Sequence, residues 1–457
     1  MSWFARKSDD IQRNYATGAN RGAYNARIRQ NHVDFGENSN NAGLSRRAKL
    51  AASEVKSALL DKSGELKLGR KHRPDYVILI LILTLAVIGL VVLFSIAPAL
   101  NSGNNGATTG FMARQIALIT LGIIIFFVVS RVPLDFWRKY SSRLFLGALI
   151  LCVAVAIPHF PLAINANGAQ RWFNLGAIGT FQPAEFLKFG MLLFASSFLA
   201  VRSAQNRLNS WRELLPFFAL FAAALFTVAI LQKDMGTALA MFAIVLVQLI
   251  ISGLPGRKIA LVLAVSAIAG VLAITMFSHR TARITTFLGG GSSTSNYQIN
   301  QSLIAIGSGG LFGRGLGQSV QAFGWLPEQS TDSIFAILGE TLGWIGLVVV
   351  IGLFGILLKR IIAKVDYTEN LFLRLILAGV FGWLAAHVML NIGAMTSLIP
   401  LTGVTLPLIS FGGTSMVFIM AALGLVFAIS GYTMHRKIER EPNNVKVAVS
   451  RHLGARL

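Results

Sequence analysis

The stretch 76-YVILILILTLAVIGLVVLFSIAPA-99 contains no charged residue. A run of about 20 apolar residues can cross the roughly 30 Å hydrocarbon core of a bilayer as an α-helix. Further apolar stretches of the same kind follow along the chain, at 113–131, 142–158, 186–201, 214–232, 236–253, 258–278, 334–358, 371–394 and 412–432. The sequence therefore predicts an all-α polytopic membrane protein with about ten transmembrane helices.

The composition of the 457-residue chain also indicates a membrane protein. Hydrophobic residues make up 54% of the chain and charged residues only 13%, with a mean hydropathy of +0.63. Soluble domains carry about a quarter charged residues. The single cysteine, Cys152, excludes a disulfide framework. No Walker-type phosphate loop, GxSxG motif or His/Cys cluster with metal-ligand spacing occurs, so these classes of active site are not predicted.

The distribution of the +22 net charge predicts the topology. If the N-terminus is cytoplasmic, the segments on that side hold 34 of the 41 Lys and Arg residues, as the positive-inside rule requires. An even number of helices then places the C-terminus in the cytoplasm as well. The positive charge is thus explained by topology and by anionic membrane lipids, and nucleic acid is not a predicted partner.

The chain divides into three predicted regions. Residues 1–75 are basic and too poor in apolar residues to form a core, so we expect a mostly disordered cytoplasmic tail. Residues 76–432 form the membrane domain, and 433–457 form a second basic cytoplasmic tail. Two extracytoplasmic loops are expected, at 159–185 and, between helices 7 and 8, at 279–333. The inverted repeats of many transporters are not evident.

The segment 323-FGWLPEQSTDSIFAILGETLGWIG-346 concentrates acidic residues in a region where they are scarce. Of the 19 acidic residues, the membrane and outer face hold only Glu185, Asp234, Glu328, Asp332 and Glu340. Placing an ionisable side chain in the hydrocarbon core costs about 2.5–3.5 kcal/mol on insertion scales. Because of this cost, the ionisable residues that do occur there are functional candidates. The same side holds the cations Arg114, Arg171, Lys188, Lys233, Arg280, Arg283 and Arg314. Carboxylates beside a cationic rim suit a phosphate-bearing substrate.

Several of these residues also have structural interpretations. Glu185 and Lys188 are three residues apart on one predicted helix face and can form an ion pair. Asp234 precedes an apolar helix that it can cap. A capping box that begins at Ser330 or Thr331 is a further structural alternative beside Asp332.

Two further features are expected to be structural. Glu340 lies within an apolar stretch, and we expect its carboxylate to be satisfied inside the bundle. The segment 307-GSGGLFGRGLG-317 looks like a phosphate cradle, but no strand precedes it. Tight turns that need glycine explain it better.

Five groups of residues resemble the SEDS family (shape, elongation, division and sporulation). They are 168-GAQRWFNLG-176 with 181-FQPAEFLKF-189, 232-QKDMGTAL-239, 297-YQINQSLIAIGSGGLFGRGLGQS-319, 326-LPEQSTDSIFAILGETLGWIG-346 and 400-PLTGVTLPLISFGGTS-415. The resemblance spans roughly 75–435. It implies a peptidoglycan glycosyltransferase in 76–432 that polymerises lipid II outside the cytoplasmic membrane. It also implies a class B penicillin-binding protein, a monofunctional transpeptidase, as partner.

The resemblance further implies which residues act. Asp332, in the TD pair of the long loop, matches the essential acid of the family. Four further residues match motif positions of the family: Arg171, Glu185, Lys188 and Asp234. The chain departs from the family pattern where it has Ser330 for His, Ser333 for Phe, Lys233 for Pro, Thr341 for Glu and Phe411 for Tyr.

The chemistry of polymerisation suits these residues. An acceptor sugar hydroxyl attacks the anomeric carbon of a donor whose leaving group is a lipid pyrophosphate. A carboxylate that acts as general base accelerates such a step by about 10²–10⁴-fold, and the pyrophosphate needs positive charge as it leaves. We assign the base role to Asp332. The predicted substrate-binding residues are Arg171, Lys188, Lys233 and Arg314 at the pyrophosphate, with or without a divalent cation, and Glu185 (which would orient Lys188), Asp234 and Glu328.

Two branches of the family fit the remaining motifs. The TLPLIS string and the GLVVLFS end of the first helix favour the FtsW-type division branch, whereas PEQ favours the RodA-type elongation branch. The prediction is an FtsW-type enzyme at the division septum, with other divisome proteins as partners. The alternatives are a RodA-type polymerase, a lipid II flippase and a scaffold for the transpeptidase.

Overall fold

A computed structural model of the chain describes residues 72–100, 108–276 apart from 159, 161, 167–168 and 177–178, the single positions 281, 285 and 287, and 294–433. All of them belong to one compact unit, Leu59–Leu457. The predicted tails lie outside the described residues except for 72–75 and 433. Most of 279–293, including Arg280 and Arg283, also lies outside them.

The described residues form eleven α-helices and one small sheet. In chain order they are α1 Tyr76–Leu100, α2 Thr108–Arg131, α3 Leu134–Ala156, β1 Ala163–Ala166, β2 Ala169–Asn174, β3 Thr180–Phe181, α4 Pro183–Ala204, α5 Trp211–Phe226, α6 Met235–Ile251, α7 Gly256–Thr275, α8 Thr294–Ser308, α9 Ile334–Asp366, α10 Leu371–Met395 and α11 Thr414–Ser430. A π-helical turn, Thr227–Leu231, extends α5.

All ten predicted transmembrane segments are helical, and only α8 has no counterpart among them. Within the described part of the chain, eight helices are long and apolar enough to cross a membrane. The other two, α6 and α11, have 17 residues each. Such a helix is about 25 Å long and falls short of the roughly 30 Å hydrocarbon core. The helical, multi-pass membrane class is confirmed, and the count of ten spans stays a prediction.

Helices α4 and α10 lie at the centre of the bundle. Most residues of both helices are buried against neighbouring helices. The main packing partners are α3 with α4, α2 with α11, α6 with α10, and α9 with α10. By contrast, Lys258 is the one buried residue of α7, which therefore lies at the periphery. The buried polar side chains Lys188 of α4 and Asn391 of α10 therefore contact protein.

The last residues of the predicted N-terminal tail are ordered against one end of the bundle. The amide of His72 donates to the carbonyl of Gly431 at 2.8 Å. The carboxylate of Asp75 lies 3.0 Å from the ammonium of Lys364, at the end of α9. The start of α1 and the ends of α9 and α11 therefore share one end, as the predicted topology requires. These ion pairs and hydrogen bonds fix residues 72–75, and the mostly disordered tail over the preceding residues stays a prediction.

The long loop packs against a break in α9. Gly343 adopts a left-handed φ of 69° and interrupts the helix. Backbone hydrogen bonds bridge the break, from the amides of Arg314 and Gly315 to the carbonyls of Glu340 and Thr341, and from those of Trp344 and Ile345 to the carbonyls of Gly310 and Leu311. A Cβ at Gly313 would overlap the Thr341 carbonyl. Gly310, Gly313, Gly315 and Gly317 have positive φ, which fits the expected tight turns. The amides of Arg314 and Gly315 are bonded to α9, which disfavours a phosphate cradle.

The small sheet was not predicted. β1, β2 and β3 pair in an antiparallel order within the predicted loop 159–185. The dipeptide Asn167–Gly168 stands between β1 and β2 in the sequence. Asn-Gly between two strand-forming runs is a strong hairpin signal, so the sequence did contain the information.

Candidate active site

The residues around Asp332 are held by a second loop. We refer to 327–333 as the Asp332 loop and to 401–413, between α10 and α11, as the clamp segment. The clamp segment donates twice to the Asp332 loop, from the hydroxyl of Ser410 to the carbonyl of Thr331 at 2.6 Å and from the amide of Phe411 to the carbonyl of Ser330 at 2.8 Å. Two neighbouring backbone carbonyls are therefore fixed, which limits where the Asp332 side chain can lie.

The carboxylate of Asp332 is half-buried beside Gly403 of the clamp segment. A Cβ at Gly403 would lie 3.8 Å from Oδ2 of Asp332, and Gly403 has a φ of +69°. Glycine is favoured there because the left-handed conformation strains other residues. The Nδ2 group of Asn391, in α10, donates to the backbone carbonyl of Asp332 at 2.7 Å. Asp332 thus lies at the junction of three elements.

Glu328 shapes the Asp332 loop and is exposed. Its backbone has a φ of 50°, and its carboxylate accepts a hydrogen bond from the hydroxyl of Thr331 at 2.8 Å. The capping box considered for this region is not formed. The N-cap of α9 is Ser333, which makes no side-chain capping bond. Its hydroxyl donates to the Pro327 carbonyl at 2.9 Å instead.

Glu185 and Lys188 form a buried ion pair. Nζ of Lys188 lies 2.7 Å from Oε1 of Glu185, 3.1 Å from Nε2 of His387 and 5.0 Å from the centre of the Trp383 ring. The exposed fraction is 0% for Lys188 and 4% for Glu185. Direct contact of Lys188 with a pyrophosphate does not fit this arrangement, because protein surrounds the ammonium group on all sides. The structural interpretation, an ion pair within the bundle, describes the geometry.

Arg171 and Asp234 organise the turn that precedes α6. The guanidinium of Arg171 donates to the carbonyl of Gln232 at 2.7 Å and to that of Lys233 at 2.9 Å. Asp234 caps α6, since its carboxylate accepts from the amide of Thr237 at 3.0 Å. The predicted capping role is therefore confirmed, and the carboxylate is committed to it.

The turn lies against the clamp segment. A Cβ at Gly236 would come within 2.8 Å of the Thr402 carbonyl oxygen. Gly403 follows Thr402 and lies beside Asp332. The turn that Arg171 binds, which contains Lys233, is therefore connected to the Asp332 loop through the clamp segment.

Arg314 and Glu340 belong to a separate cluster at the break in α9. Glu340 is fully buried and accepts from the hydroxyl of Ser319 at 2.5 Å and from the amide of Val320 at 2.9 Å. Nε of Arg314 lies 3.9 Å from the Glu340 carboxylate. Glu340 is satisfied inside the protein, as expected. The structure does not bring Arg314 into contact with the Asp332 loop.

Two residues of α10 that contact the site residues are not among those predicted from the sequence. Asn391 contacts the Asp332 loop, and His387 contacts Lys188. They are four residues apart, on one face of an apolar helix, and polar groups inside membrane helices are functional candidates. That spacing is the signal in the sequence.

Among the described residues, no three His, Cys, Asp or Glu side chains could together hold a metal ion. The divalent cation at the pyrophosphate stays a prediction.

Comparison with protein families and known sequences gives consistent matches. The family model for FtsW, RodA and SpoVE, described as "Cell cycle protein", matches residues 75–435. Stage V sporulation protein E of Bacillus subtilis (strain 168) is 34% identical over 372 residues, which is 80% of this chain and 99% of that protein. A protein named probable peptidoglycan glycosyltransferase FtsW, from Coxiella burnetii, is 34% identical over 361 residues, covering 78% and 96% of the two chains.

Solved structures agree with these matches. A chain in a structure described as structural coordination of polymerization and crosslinking by a peptidoglycan synthase complex is similar with a TM-score of 0.63 and 26% identity, covering 78% of this chain and 97% of that one. The rod shape determining protein RodA of Thermus thermophilus is similar with a TM-score of 0.57 and 28% identity, covering 78% and 96%. This chain therefore belongs to the FtsW/RodA/SpoVE family of membrane proteins, the SEDS family.

Proposed function

We propose that this protein is an FtsW-type peptidoglycan glycosyltransferase that polymerises lipid II at the outer face of the cytoplasmic membrane. The observation that carries the proposal is the fixed Asp332 loop. The backbone around Asp332 is held by hydrogen bonds to its own carbonyl and to those of Ser330 and Thr331, at the end of the bundle predicted to face outward. Relatives named peptidoglycan glycosyltransferase support the assignment.

In the proposed reaction Asp332 accepts the proton of the acceptor sugar hydroxyl as that oxygen attacks the donor's anomeric carbon. The bond from this carbon to the pyrophosphate oxygen breaks, and the polyprenyl pyrophosphate leaves as an anion. Arg171 uses Nε and Nη2 for two carbonyls, and a guanidinium has five N–H donors, so other donors remain for phosphate oxygens. Lys233 and Arg171 form the proposed cationic side of the site, and Glu185 and Lys188 support it from the interior.

The proposal includes a partner and a cellular location. The similar chain in a peptidoglycan synthase complex supports a class B penicillin-binding protein as partner. Location at the division septum, with other divisome proteins, follows from the FtsW-type assignment. A fluorescently labelled copy should gather at midcell. Even distribution along the side wall would favour the RodA-type alternative, which the similarity to RodA keeps open.

Polymerisation can be separated from lipid II flipping by a reaction in detergent. Purified protein is expected to convert lipid II in micelles into a muramidase-sensitive glycan ladder, with or without the class B transpeptidase. Micelles have no second leaflet, so flipping has no meaning there. Absence of polymer in both conditions, together with transfer of labelled lipid II across vesicles by the same preparation, would contradict the enzyme and support the flippase.

A further inference from the structure

We propose that Asn391 is a positioning residue for Asp332, and that His387 links the same clamp to the buried Glu185–Lys188 pair. The inference rests on the proposed function, because it assumes that Asp332 acts on the substrate. In this arrangement the Glu185–Lys188 pair helps to hold the clamp segment in place and does not bind phosphate.

Asn391 joins the two loops that form the site. Its side chain is fully buried, and Nδ2 donates to the carbonyl of Asp332 at 2.7 Å and to the carbonyl of Val404 at 2.7 Å. A side-chain amide has two N–H donors, so both are used. Because both acceptors are carbonyl oxygens, the nitrogen must face them. One amide thus fixes the distance between the Asp332 backbone and the segment whose Gly403 lies against the Asp332 carboxylate.

His387 acts on the next residue of the clamp segment. Its Nδ1 lies 3.2 Å from the carbonyl oxygen of Thr405, which follows Val404. Its Nε2 lies 3.1 Å from Nζ of Lys188 and 3.2 Å from Nε1 of Trp383, both of which are donors. Nε2 therefore accepts, and the ring proton on Nδ1 donates to Thr405.

A continuous chain of contacts follows from these bonds. It runs from Glu185 through Lys188 and His387 to Thr405, and the neighbouring Val404 shares Asn391 with Asp332. His387 and Asn391 are one turn apart on α10, a central helix, so they move together. Loss of the bond from His387 to Thr405, or of the bond from Asn391 to Val404, allows the clamp segment to move relative to the Asp332 carboxylate. A misplacement of about 1 Å can lower a rate about 100-fold.

The test compares Asn391→Leu with Gln248→Met in the full-length protein. Gln248 is also fully buried, and its Nε2 donates to the carbonyls of Leu192 and Leu375 and to the hydroxyl of Ser196, away from the Asp332 loop. Each change replaces a buried amide by an apolar chain of similar size. With lipid II in detergent, Asn391→Leu should lower kcat about 100-fold with KM for lipid II within about twofold. Gln248→Met should keep kcat within about twofold.

Equal kcat in the two variants would overturn the inference while leaving the proposed function intact. An inactive wild-type protein would instead reject the proposed function and this inference with it.

If Asn391→Leu does not fold, a pair of His387 variants tests whether the clamp segment positions Asp332. The amide nitrogen of an asparagine can replace Nδ1 toward Thr405, whereas that of a glutamine lies nearer to Nε2. His387→Asn should therefore retain a kcat several-fold above that of His387→Gln. Equal or reversed values would show that the bond to the clamp segment does not position Asp332.

Discussion

Replacement of Asp332 by asparagine is expected to lower the rate of glycan polymerisation about 10²–10⁴-fold. Asparagine keeps the shape of the side chain but cannot accept the proton of a sugar hydroxyl. The bonds that hold the loop involve the backbone of residue 332 and its neighbours, so they should survive the change. The measurement is the amount of glycan strand made from lipid II in detergent by purified protein.

Asp234→Asn supplies the matched control for this experiment. Asp234 lies at the same end of the bundle, and its carboxylate caps α6. Asparagine caps helices about as well as aspartate, so stability and polymerisation should stay near the wild-type values. A folded Asp332→Asn protein with a near-normal polymer yield would remove Asp332 from the base role. Loss of activity in both variants would instead indicate a general sensitivity of this end of the bundle.

Replacement of Lys188 by methionine is expected to destabilise the protein by about 3–5 kcal/mol. The change removes the cation and leaves the Glu185 carboxylate buried, and Oε2 of Glu185 already has no hydrogen-bond partner among the described residues. A buried charge without a counter-ion carries most of its desolvation penalty uncompensated. Thermal unfolding in detergent, compared with the wild type, measures the effect.

The double variant Glu185→Leu with Lys188→Met is the control. Replacing a whole buried ion pair by apolar residues is often neutral, so the double variant should recover most of the stability lost in the single variant. Direct phosphate binding by Lys188 predicts a different result. The single variant would then keep its stability and show a raised KM for lipid II.

Most of the fold could be predicted from hydrophobicity. The apolar runs of the sequence became helices at all ten expected places, because in lipid a spanning segment must satisfy its backbone internally. The long loop was harder, since its structure depends on a contact between distant segments. The break at Gly343 is bridged by 309–315, and a glycine-rich sequence alone does not show which helix it will meet. The Asn167–Gly168 dipeptide between β1 and β2 is, by contrast, a local hairpin signal.

The site could be predicted only in part. The ion pair of Glu185 and Lys188 followed from their spacing, but its burial depends on the helices that surround α4. The contact of Asn391 with Asp332 joins residues 59 positions apart, which no local pattern reveals. His387 belongs to no metal-ligand motif, although a polar residue on an apolar helix already indicates a functional candidate.

The most direct test of the central claim is the position of the acceptor sugar in a structure with lipid II and an unreactive donor analogue bound. We predict that the Asp332 carboxylate lies about 2.6–3.2 Å from the attacking hydroxyl, or reaches it through one water molecule. The carboxylate should face the outer side of the bundle, with the bonds from Asn391 and Ser410 intact. An acceptor hydroxyl bound against Glu328, with Asp332 turned away from the sugar, would contradict the assignment.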